Sequence, residues 1–317
     1  MTRTNLLILL LIILPLTACS GTEITPTPTS IPRESKIPAD AVKITPRDDL
    51  SPPILHSDEW EGLVPLPYPV NTAGGEDSPF ITPDGQTLYF FFTPIPESPV
   101  EEQILDGVTG YYVTNRQGES WTEPERVILQ DPGKLSLDGC GFVQEDTFWF
   151  CSAREGFTGI KWFTADFADG AWTNWQPVNF NQDYQVGELH ISSDGKELYF
   201  HSDRPGGRGG YDLWVSDWED GDWGPPHNLI NLNTQETEGW PFLSEDLQEL
   251  WFTRTYQGTP ALFRSHRTAD GWGEPELIIS RFAGEATLDR EGNLIFVHHY
   301  YREGEMLEVD LYYARAR

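Results

Sequence analysis

The chain has 317 residues, of which 50 are Asp or Glu and only 21 are Lys or Arg, so its formal net charge is −29. A surface this acidic argues against nucleic-acid binding, which depends on neutralising phosphates with Lys and Arg, and against docking on anionic lipid. The length suits one large all-β domain or two smaller domains.

The N-terminus has the features of a targeting segment. Arg3 supplies a positive charge, and Leu6–Leu14 form an apolar run that is too short to favour a transmembrane helix. The motif Leu16–Cys19 resembles a bacterial lipobox. By that resemblance residues 1–18 are a lipoprotein signal peptide, and Cys19 carries a lipid that anchors an extracytoplasmic protein to the bacterial cell membrane or envelope. The alternative is an ordinary signal peptide whose cysteine is incidental.

Residues 19–55 are predicted to be a disordered linker. The segment is rich in proline and threonine and nearly free of aromatic residues. Such a composition buries too little apolar surface to offset the entropy of ordering the chain. The linker is expected to hold the folded domain, residues 56–317, away from the membrane.

A repeat of about fifty residues organises the rest of the chain. Its clearest copy, Glu188–Leu229, is predicted to form four short strands separated by turns that are rich in Asp and Gly. Tryptophans of the fourth strand recur at spacings of 51, 51 and 49 residues, at Trp121, Trp172, Trp223 and Trp272. Four strands at this period are typical of a β-propeller blade, because a four-stranded unit cannot bury its faces without neighbours.

The copies predict an all-β fold, a single propeller with five blades of four antiparallel strands. The blades are predicted to cover residues 76–127, 138–178, 188–229, 238–277 and 285–314. The fifth copy ends without a fourth strand, whereas Trp60–Pro65 has the pattern of a fourth strand with no others before it. We therefore expect this N-terminal strand to complete the last blade, because closure of the ring removes exposed sheet edges.

Cys140 and Cys151 are predicted to form a disulfide within blade two. They lie four residues on either side of the turn Gln144–Thr147, and residues directly opposite each other on antiparallel strands have close Cβ atoms. Export from the cytoplasm would permit the bond. The alternative is that two small apolar side chains fill one face of the blade.

Several stretches resemble a known repeat family. Ser192–Phe200 and Thr82–Phe90 are similar to the repeat of TolB-like, WD-repeat-like β-propellers, and Ser202–Ser216 is similar to the same repeat in bacterial envelope proteins. The similarity covers the chain from about Glu76 onward and is strong in blades three and four, whereas blade two lacks the Asp-Gly turn. It implies an extracytoplasmic propeller of a family that is mostly used for binding and scaffolding, and it implies no single activity.

Candidate ligand-binding residues gather at one mouth of the predicted channel, where the first strand of each blade starts with a carboxylate. A ring of acids and arginines can hold a sugar or, through the acids alone, a cation. The alternative is that the acids pair with arginines of their own blades, for example Glu188 with Arg204 and Glu238 with Arg254, and only orient loops. The predicted site comprises Asp77, Asp138, Glu188, His190, Arg204, Glu238, Trp240, Arg254 and Glu285.

Two classes of function fit these residues. The one that the repeat resemblance favours is a non-catalytic binding or protein-interaction module, whose ligand at the channel mouth is a carbohydrate, a peptide or an envelope protein. The alternative is a glycoside hydrolase of the five-bladed, arabinanase-like type that uses inner-strand carboxylates. The first inner strand lacks the Asp-Pro start that such enzymes typically show.

Motifs of other enzyme classes are absent from the sequence, which has no Ser-His-Asp order, zinc-ligand run, phosphate-binding glycine loop or nucleotide fingerprint. We therefore expect no catalytic residue and no organic cofactor, and we leave open a structural divalent cation. The expected partners are the membrane, through the lipid anchor, and an unidentified envelope protein or glycan. The protein itself is expected to be a monomer.

Overall fold

The computed structural model describes residues 31–178, 180 and 186–317, and nearly all of its regular structure is β-strand. The helices in these ranges are one 3-10 turn, Arg33–Lys36, and one short α-helix, Val100–Gln103. Neither they nor any other described segment forms a helix long and apolar enough to cross a membrane. The predicted signal peptide, the lipobox and the start of the predicted linker lie outside the described residues.

The first half of the chain forms two short strands and two blades. The short strands are β1 (Ile54–Leu55) and β2 (Val64–Pro65). Blade one consists of β3 (Gly75–Ile81), β4 (Thr87–Thr93), β5 (Gly110–Gln117), β6 (Ser120–Trp121) and β7 (Glu125–Arg126). Blade two consists of β8 (Ser136–Gln144), β9 (Thr147–Arg154), β10 (Lys161–Ala168) and β11 (Ala171–Pro177).

The second half forms three further blades, which confirms the predicted five-bladed propeller. Blade three consists of β12 (Leu189–Ile191), β13 (Glu197–Ser202), β14 (Asp212–Glu219), β15 (Asp222–Trp223) and β16 (His227–Asn228). Blade four consists of β17 (Glu238–Leu243), β18 (Glu249–Tyr256), β19 (Thr259–Thr268), β20 (Gly271–Trp272) and β21 (Glu276–Ser280). Blade five consists of β22 (Ala283–Leu288), β23 (Leu294–Arg302) and β24 (Glu305–Ala314).

The ring closes through the N-terminal strand, as predicted from the incomplete copies at the two ends of the repeat. Strand β2 pairs antiparallel with β24, with Val64 opposite Tyr313. The backbone N–H of Leu66 also donates to the carbonyl of Leu311 at 2.8 Å. The fourth strand of blade five therefore comes from the start of the domain and its first three strands from the end.

Residues 31–55 pack against the propeller, although the composition of residues 19–55 predicts disorder. Arg33 is only 4% exposed and bonds Glu76 of blade one at 3.1 Å. Lys43 contacts Asp310 of blade five at 2.6 Å, and β1 pairs with β21 at the outer edge of blade four. These residues are held by ion pairs and backbone pairing, which a prediction from apolar content does not register.

Aromatic rings fill the interfaces between neighbouring blades. Phe148 of blade two is completely buried, and its ring lies 5.4 Å from that of Tyr89 and 5.7 Å from that of Tyr111, both in blade one. Within its own blade it lies 5.1 Å from Trp172. The repeated aromatic residues thus join twisted sheets that cannot bury their faces alone.

A β-bulge interrupts the first strand of blades one, two, four and five. The bulged residues have left-handed backbone angles, with φ of 45° at Ser78 and 52–53° at Cys140, Trp240 and Glu285. A bulge leaves one residue unpaired and re-aims its side chain. These four side chains therefore depart from the in-and-out alternation of the strand.

The bulge also changes the predicted register of the two cysteines. Cys151 lies opposite Gly139, and Cys140 is the extra residue of the bulge. The two cysteines form a disulfide, with their Cα atoms 5.4 Å apart. The bond therefore staples the bulge of β8 to β9 instead of joining directly opposed residues.

Thiol labelling of the unfolded, non-reduced protein is expected to find neither Cys140 nor Cys151. After reduction both should label, and the melting temperature should fall, because the bond closes a loop in the unfolded chain. A Cys140→Ser/Cys151→Ser variant is the control, since its stability should not respond to reductant. Labelling of both cysteines before reduction would contradict the disulfide.

Candidate functional site

The predicted ring of acids divides into two sets at different positions of the first strand. Glu76, Asp138 and Glu238 lie two residues before the bulge and are 0%, 3% and 0% exposed. Glu285 is itself a bulged residue. Glu188 holds the equivalent place in blade three, where β12 has regular pairing.

Each acid of the first set is paired with a buried or nearly buried arginine. Arg154 donates to Asp138 at 2.7 Å and Arg254 donates to Glu238 at 2.8 Å, both within one blade. Glu76 is paired instead with Arg33 of the N-terminal segment. These acids are fully engaged inside the blades, which agrees with the alternative that they orient loops.

The arginines are further held by aromatic rings of their own blades. The guanidinium of Arg154 lies 4.2 Å from the ring centroid of Phe163, and that of Arg254 lies 4.5 Å from Phe263. The guanidinium of Arg33 lies 5.0 Å from Phe92 in blade one. A guanidinium stacked on an aromatic face gains from the ring quadrupole. Asp138, Glu238 and Arg254 therefore lie in the framework and not at the channel.

The predicted pair of Glu188 and Arg204 does not form. Oε1 of Glu188 accepts a hydrogen bond from Nε1 of Trp240 at 3.0 Å. Arg204 is 8% exposed and lies over the rings of Phe200 and Trp214. The pairing fails because Glu188 stands at the place equivalent to the bulge of the other blades, two residues further along the strand than Glu238.

Three carboxylates remain at the channel: Asp77, Glu188 and Glu285. Asp77 precedes the bulge of blade one, at a position where the other blades carry glycine. At one of these glycines, Gly187 of blade three, a Cβ atom would lie only 2.0 Å from the His201 ring. Each of the three is partly buried. Across the described part of the chain, no Lys or Arg forms an ion pair with any of them. This acid trio is the candidate site.

The channel environment raises the pKa of both glutamates. Burial and the negative charge of Asp77 raise the pKa of Glu188 to about 8, and the Trp240 hydrogen bond opposes them. Burial, followed by the charges of Asp77 and Glu188, raises the pKa of Glu285 well above its usual range. Oε2 of Glu285 has no hydrogen-bond partner within the described chain. Both glutamates therefore hold their protons to a higher pH than an ordinary glutamate does, and the negative charge of Asp77 contributes to this in each case.

His190, a predicted ligand-binding residue, packs between aromatic side chains of the neighbouring blades. Its ring lies 4.9 Å from that of Phe142 and 4.8 Å from that of Phe242, and Nδ1 accepts from the backbone N–H of Leu243 at 3.2 Å. Burial lowers the pKa of His190 to about 3. The imidazole is thus neutral at ordinary pH and packs between blades.

Trp240 belongs to the site through the hydrogen bond that fixes the Glu188 carboxyl group. Its indole lies 5.1 Å from the ring of His201, and its backbone N–H donates to Nδ1 of that histidine at 3.2 Å. Burial lowers the pKa of His201 to about 4, so this imidazole can accept the bond. Trp240 is therefore held between blades three and four with its N–H directed at Glu188.

Ser78 and Tyr111 are site residues that the sequence did not reveal. The hydroxyl of Tyr111 donates to the carbonyl of Ser78 at 2.6 Å and accepts from the backbone N–H of Gly141 at 2.9 Å. It therefore ties together the bulges of blades one and two. Hydrogen bonding to Ser78 opposes the rise in the pKa of Glu285. No repeat or motif distinguishes Tyr111 in the sequence. Asp77, in contrast, could be recognised, because it is an acid at a position where the other blades have glycine.

Glu188 and Glu285 line a cavity of about 50 Å³ at the centre of the first strands, together with Tyr111 and Trp240. No group of three or more His, Cys, Asp or Glu side chains is arranged to hold a metal ion in the ranges that the structure covers. The acid trio thus offers carboxyl groups of raised pKa at Glu188 and Glu285 near Asp77, and the indole N–H of Trp240 is already bonded to Glu188.

Solved structures that resemble this chain are β-propellers. The endo-arabinase of Bacteroides thetaiotaomicron VPI-5482 matches 80% of this chain and 97% of its own with a TM-score of 0.50 and 16% identity. GH43B of the Bacteroides ovatus xyloglucan PUL matches 80% of this chain and 54% of its own with a TM-score of 0.50 and 15% identity. TolB of Acinetobacter baumannii has a TM-score of 0.47 and 14% identity over 78% of this chain and 55% of its own.

Neither a protein-family model nor a curated protein sequence matches the chain. At 15–16% identity the similarity to the two Bacteroides proteins establishes the fold alone. The chain is therefore a β-propeller, and within its described residues the acid trio at the channel forms no ion pair with Lys or Arg.

Proposed function

We propose that the chain is a glycoside hydrolase that acts at the channel mouth through Asp77 and Glu188. The observation that carries this proposal is the acid trio itself, in which burial and the charge of Asp77 raise the pKa of both glutamates while no Lys or Arg of the described chain pairs with the three carboxyl groups. Glycosidic bond cleavage needs one protonated and one ionised carboxyl group held in unlike environments. Solved propellers of similar fold include glycosidases by name, which supports the choice of reaction class.

The roles follow from the hydrogen bonds. Trp240 occupies Oε1 of Glu188, so the proton lies on Oε2, and Glu188 is suited to donate it to the leaving sugar oxygen. Asp77 then acts as the base that activates water or as the nucleophile. Glu285 is the third member of the site: the charges of Asp77 and Glu188 raise its pKa, and Ser78 hydrogen-bonds its carboxyl group. This role replaces the non-catalytic module as the preferred function.

The test is release of reducing sugar from arabinan, xylan and galactan by the mature protein. Glu188→Gln and Asp77→Asn should each lower turnover by about 10²–10⁴-fold, the contribution of a general acid or base. Asp220→Asn, at an exposed turn of blade three, is the matched control and should keep full activity. Turnover that survives both site variants, or no turnover on any glycan, would overturn the proposal.

A second candidate is a non-catalytic module that binds a glycan or peptide, and one observation favours it. The cavity between Glu188 and Glu285 measures about 50 Å³, whereas small-molecule pockets usually measure about 300–1,000 Å³. In that case the acids contribute hydrogen bonds only. Glu188→Gln and Glu285→Gln should then weaken binding equally, by about 1 kcal/mol each, in a protein that releases no sugar.

In either role the protein is proposed to act outside the cytoplasm, anchored by a lipid on Cys19. The basis for this part is the targeting segment in residues 1–19. An unidentified envelope protein or glycan remains the proposed partner.

A further inference from the structure

The channel opens at its other end into a second, larger cavity of about 750 Å³. This cavity is lined by the ends of the first strands and by the turns that follow them, so it lies opposite the acid trio. Its volume falls within the range of small-molecule sites, about 300–1,000 Å³. Every blade contributes to its lining.

Aromatic rings form the bottom of this cavity and separate it from the acid trio. Phe80, Phe142, His190 and Phe242 occupy equivalent positions in blades one to four and line both cavities. Neighbouring ring centroids are 6.2, 4.9 and 4.8 Å apart in that order. We call these four residues the aromatic floor. Because the His190 imidazole is neutral, the floor carries no positive charge.

The entrance of the cavity is strongly negative. Glu145 and Asp246 are exposed there, and Glu245 and Asp289 stand beside them. Among the described residues of the lining the one cation is Arg290, which is paired with Glu245 at 2.5 Å. Acids therefore outnumber cations at the entrance, on a chain whose net charge is −29. Such a field raises the local concentration of cations.

We propose that this cavity binds an organic ammonium cation with methyl or aliphatic substituents. An aromatic ring attracts a cation through its quadrupole, and cages of such rings recognise quaternary ammonium groups. The aromatic floor supplies the rings, the entrance acids supply the field, and the volume admits an alkylated head group. The proposal is independent of the hydrolase function, because the cavity lies at the opposite mouth.

Calorimetric titration of the mature protein with choline tests this proposal, and 3,3-dimethyl-1-butanol is its neutral isostere. The two ligands have the same shape, so an apolar cavity would bind both alike, whereas the aromatic floor should prefer choline by about tenfold. A peptide with one trimethyllysine forms the second arm. Tighter binding of choline would indicate a small-molecule ligand, and tighter binding of the peptide a protein ligand.

Variants identify the cavity as the place of binding. Phe242→Leu keeps an apolar side chain and should weaken choline binding about fivefold or more, through loss of one ring. Glu145→Gln/Asp246→Asn should weaken it about threefold and reduce its salt dependence. The matched control is Asp169→Asn/Asp220→Asn, which removes the same charge at exposed turns of blades two and three.

Choline binding that is unchanged in the control and weakened in the cavity variants would support the site. If the Phe242→Leu variant fails to fold, the comparison of choline with its neutral isostere on the unaltered protein still decides the matter. Equal binding of the two isosteres, no binding at millimolar choline, or an equal loss in the control variant would overturn the proposal.

Discussion

Replacement of Arg33 by methionine is expected to lower the free energy of unfolding by about 3–5 kcal/mol at pH 8, because it leaves the buried Glu76 without its counter-charge. The guanidinium of Arg33 bonds Glu76 at 3.1 Å and the carbonyl of Val70 at 2.9 Å, and it lies over the ring of Phe92. Methionine keeps the apolar stem, so the loss reports the guanidinium group, that is, its charge together with its hydrogen bonds. Urea unfolding of the two proteins measures it.

The control for this change is Lys36→Met, in the same turn but exposed, which should alter stability by less than about 0.5 kcal/mol. Burial already raises the pKa of Glu76 to about 7 against the opposing charge of Arg33. Without Arg33 its pKa rises further, so at pH 5 the carboxyl group is protonated and the cost should shrink. A double change with Glu76→Gln should recover part of the loss. Equal, small effects of Arg33→Met and Lys36→Met would contradict the buried pair.

The architecture could be predicted from the sequence because every blade shows the same pattern of strands and turns. A copy that lacks a strand can therefore be recognised. The missing strand after Ala314 and the isolated strand before Val70 predict ring closure, and the pairing of β2 with β24 confirms it. That prediction needs only strand count and turn spacing. Both are properties of local sequence.

The packing of residues 31–55 could not be predicted in the same way. Their composition lacks the apolar residues of a core, and a composition-based prediction therefore assigns disorder. Arg33 completes the place in blade one that Arg154 and Arg254 fill within their own blades, but nothing in the local sequence links it to Glu76, 43 residues later. An ion pair that occurs once, between residues far apart in sequence, does not produce a repeating pattern from which it could be predicted.

The candidate site was predicted only in part, because the sequence does not show which acids occupy equivalent positions in the first strands. An acid near the start of each first strand suggested one ring, yet a shift of two residues separates the buried Glu238 from the channel-facing Glu188 and Glu285. In blades one, two, four and five a bulge also re-aims the side chain at this position, and these bulges have left-handed angles at residues such as Ser78 and Trp240, which are not glycine. The known residue preferences of turns do not predict left-handed backbone angles at serine or tryptophan.

The last expected result concerns pH, and it tests the acid trio without any substrate. The unfolded chain releases the Glu188 proton near its ordinary pKa of 4.5, whereas the native protein holds it until about pH 8. Between these values the native state binds more protons than the unfolded state, so stability falls as pH rises. The slope for one such group is on the order of 1 kcal/mol per pH unit.

Glu188→Gln should remove this slope, because glutamine imitates the protonated acid at every pH. The variant should match the wild type in urea unfolding near pH 5 and should exceed it at pH 8. Asp77→Asn should shift the Glu188 titration, followed by carboxyl NMR, to lower pH, since the charge that opposes ionisation is gone. The matched control is Glu219→Gln, at an exposed turn of blade three, which should leave the curve of stability against pH unchanged. Parallel curves for wild type and Glu188→Gln would show that Glu188 is ionised in the native channel, and they would remove the proton donor on which the proposed hydrolysis depends.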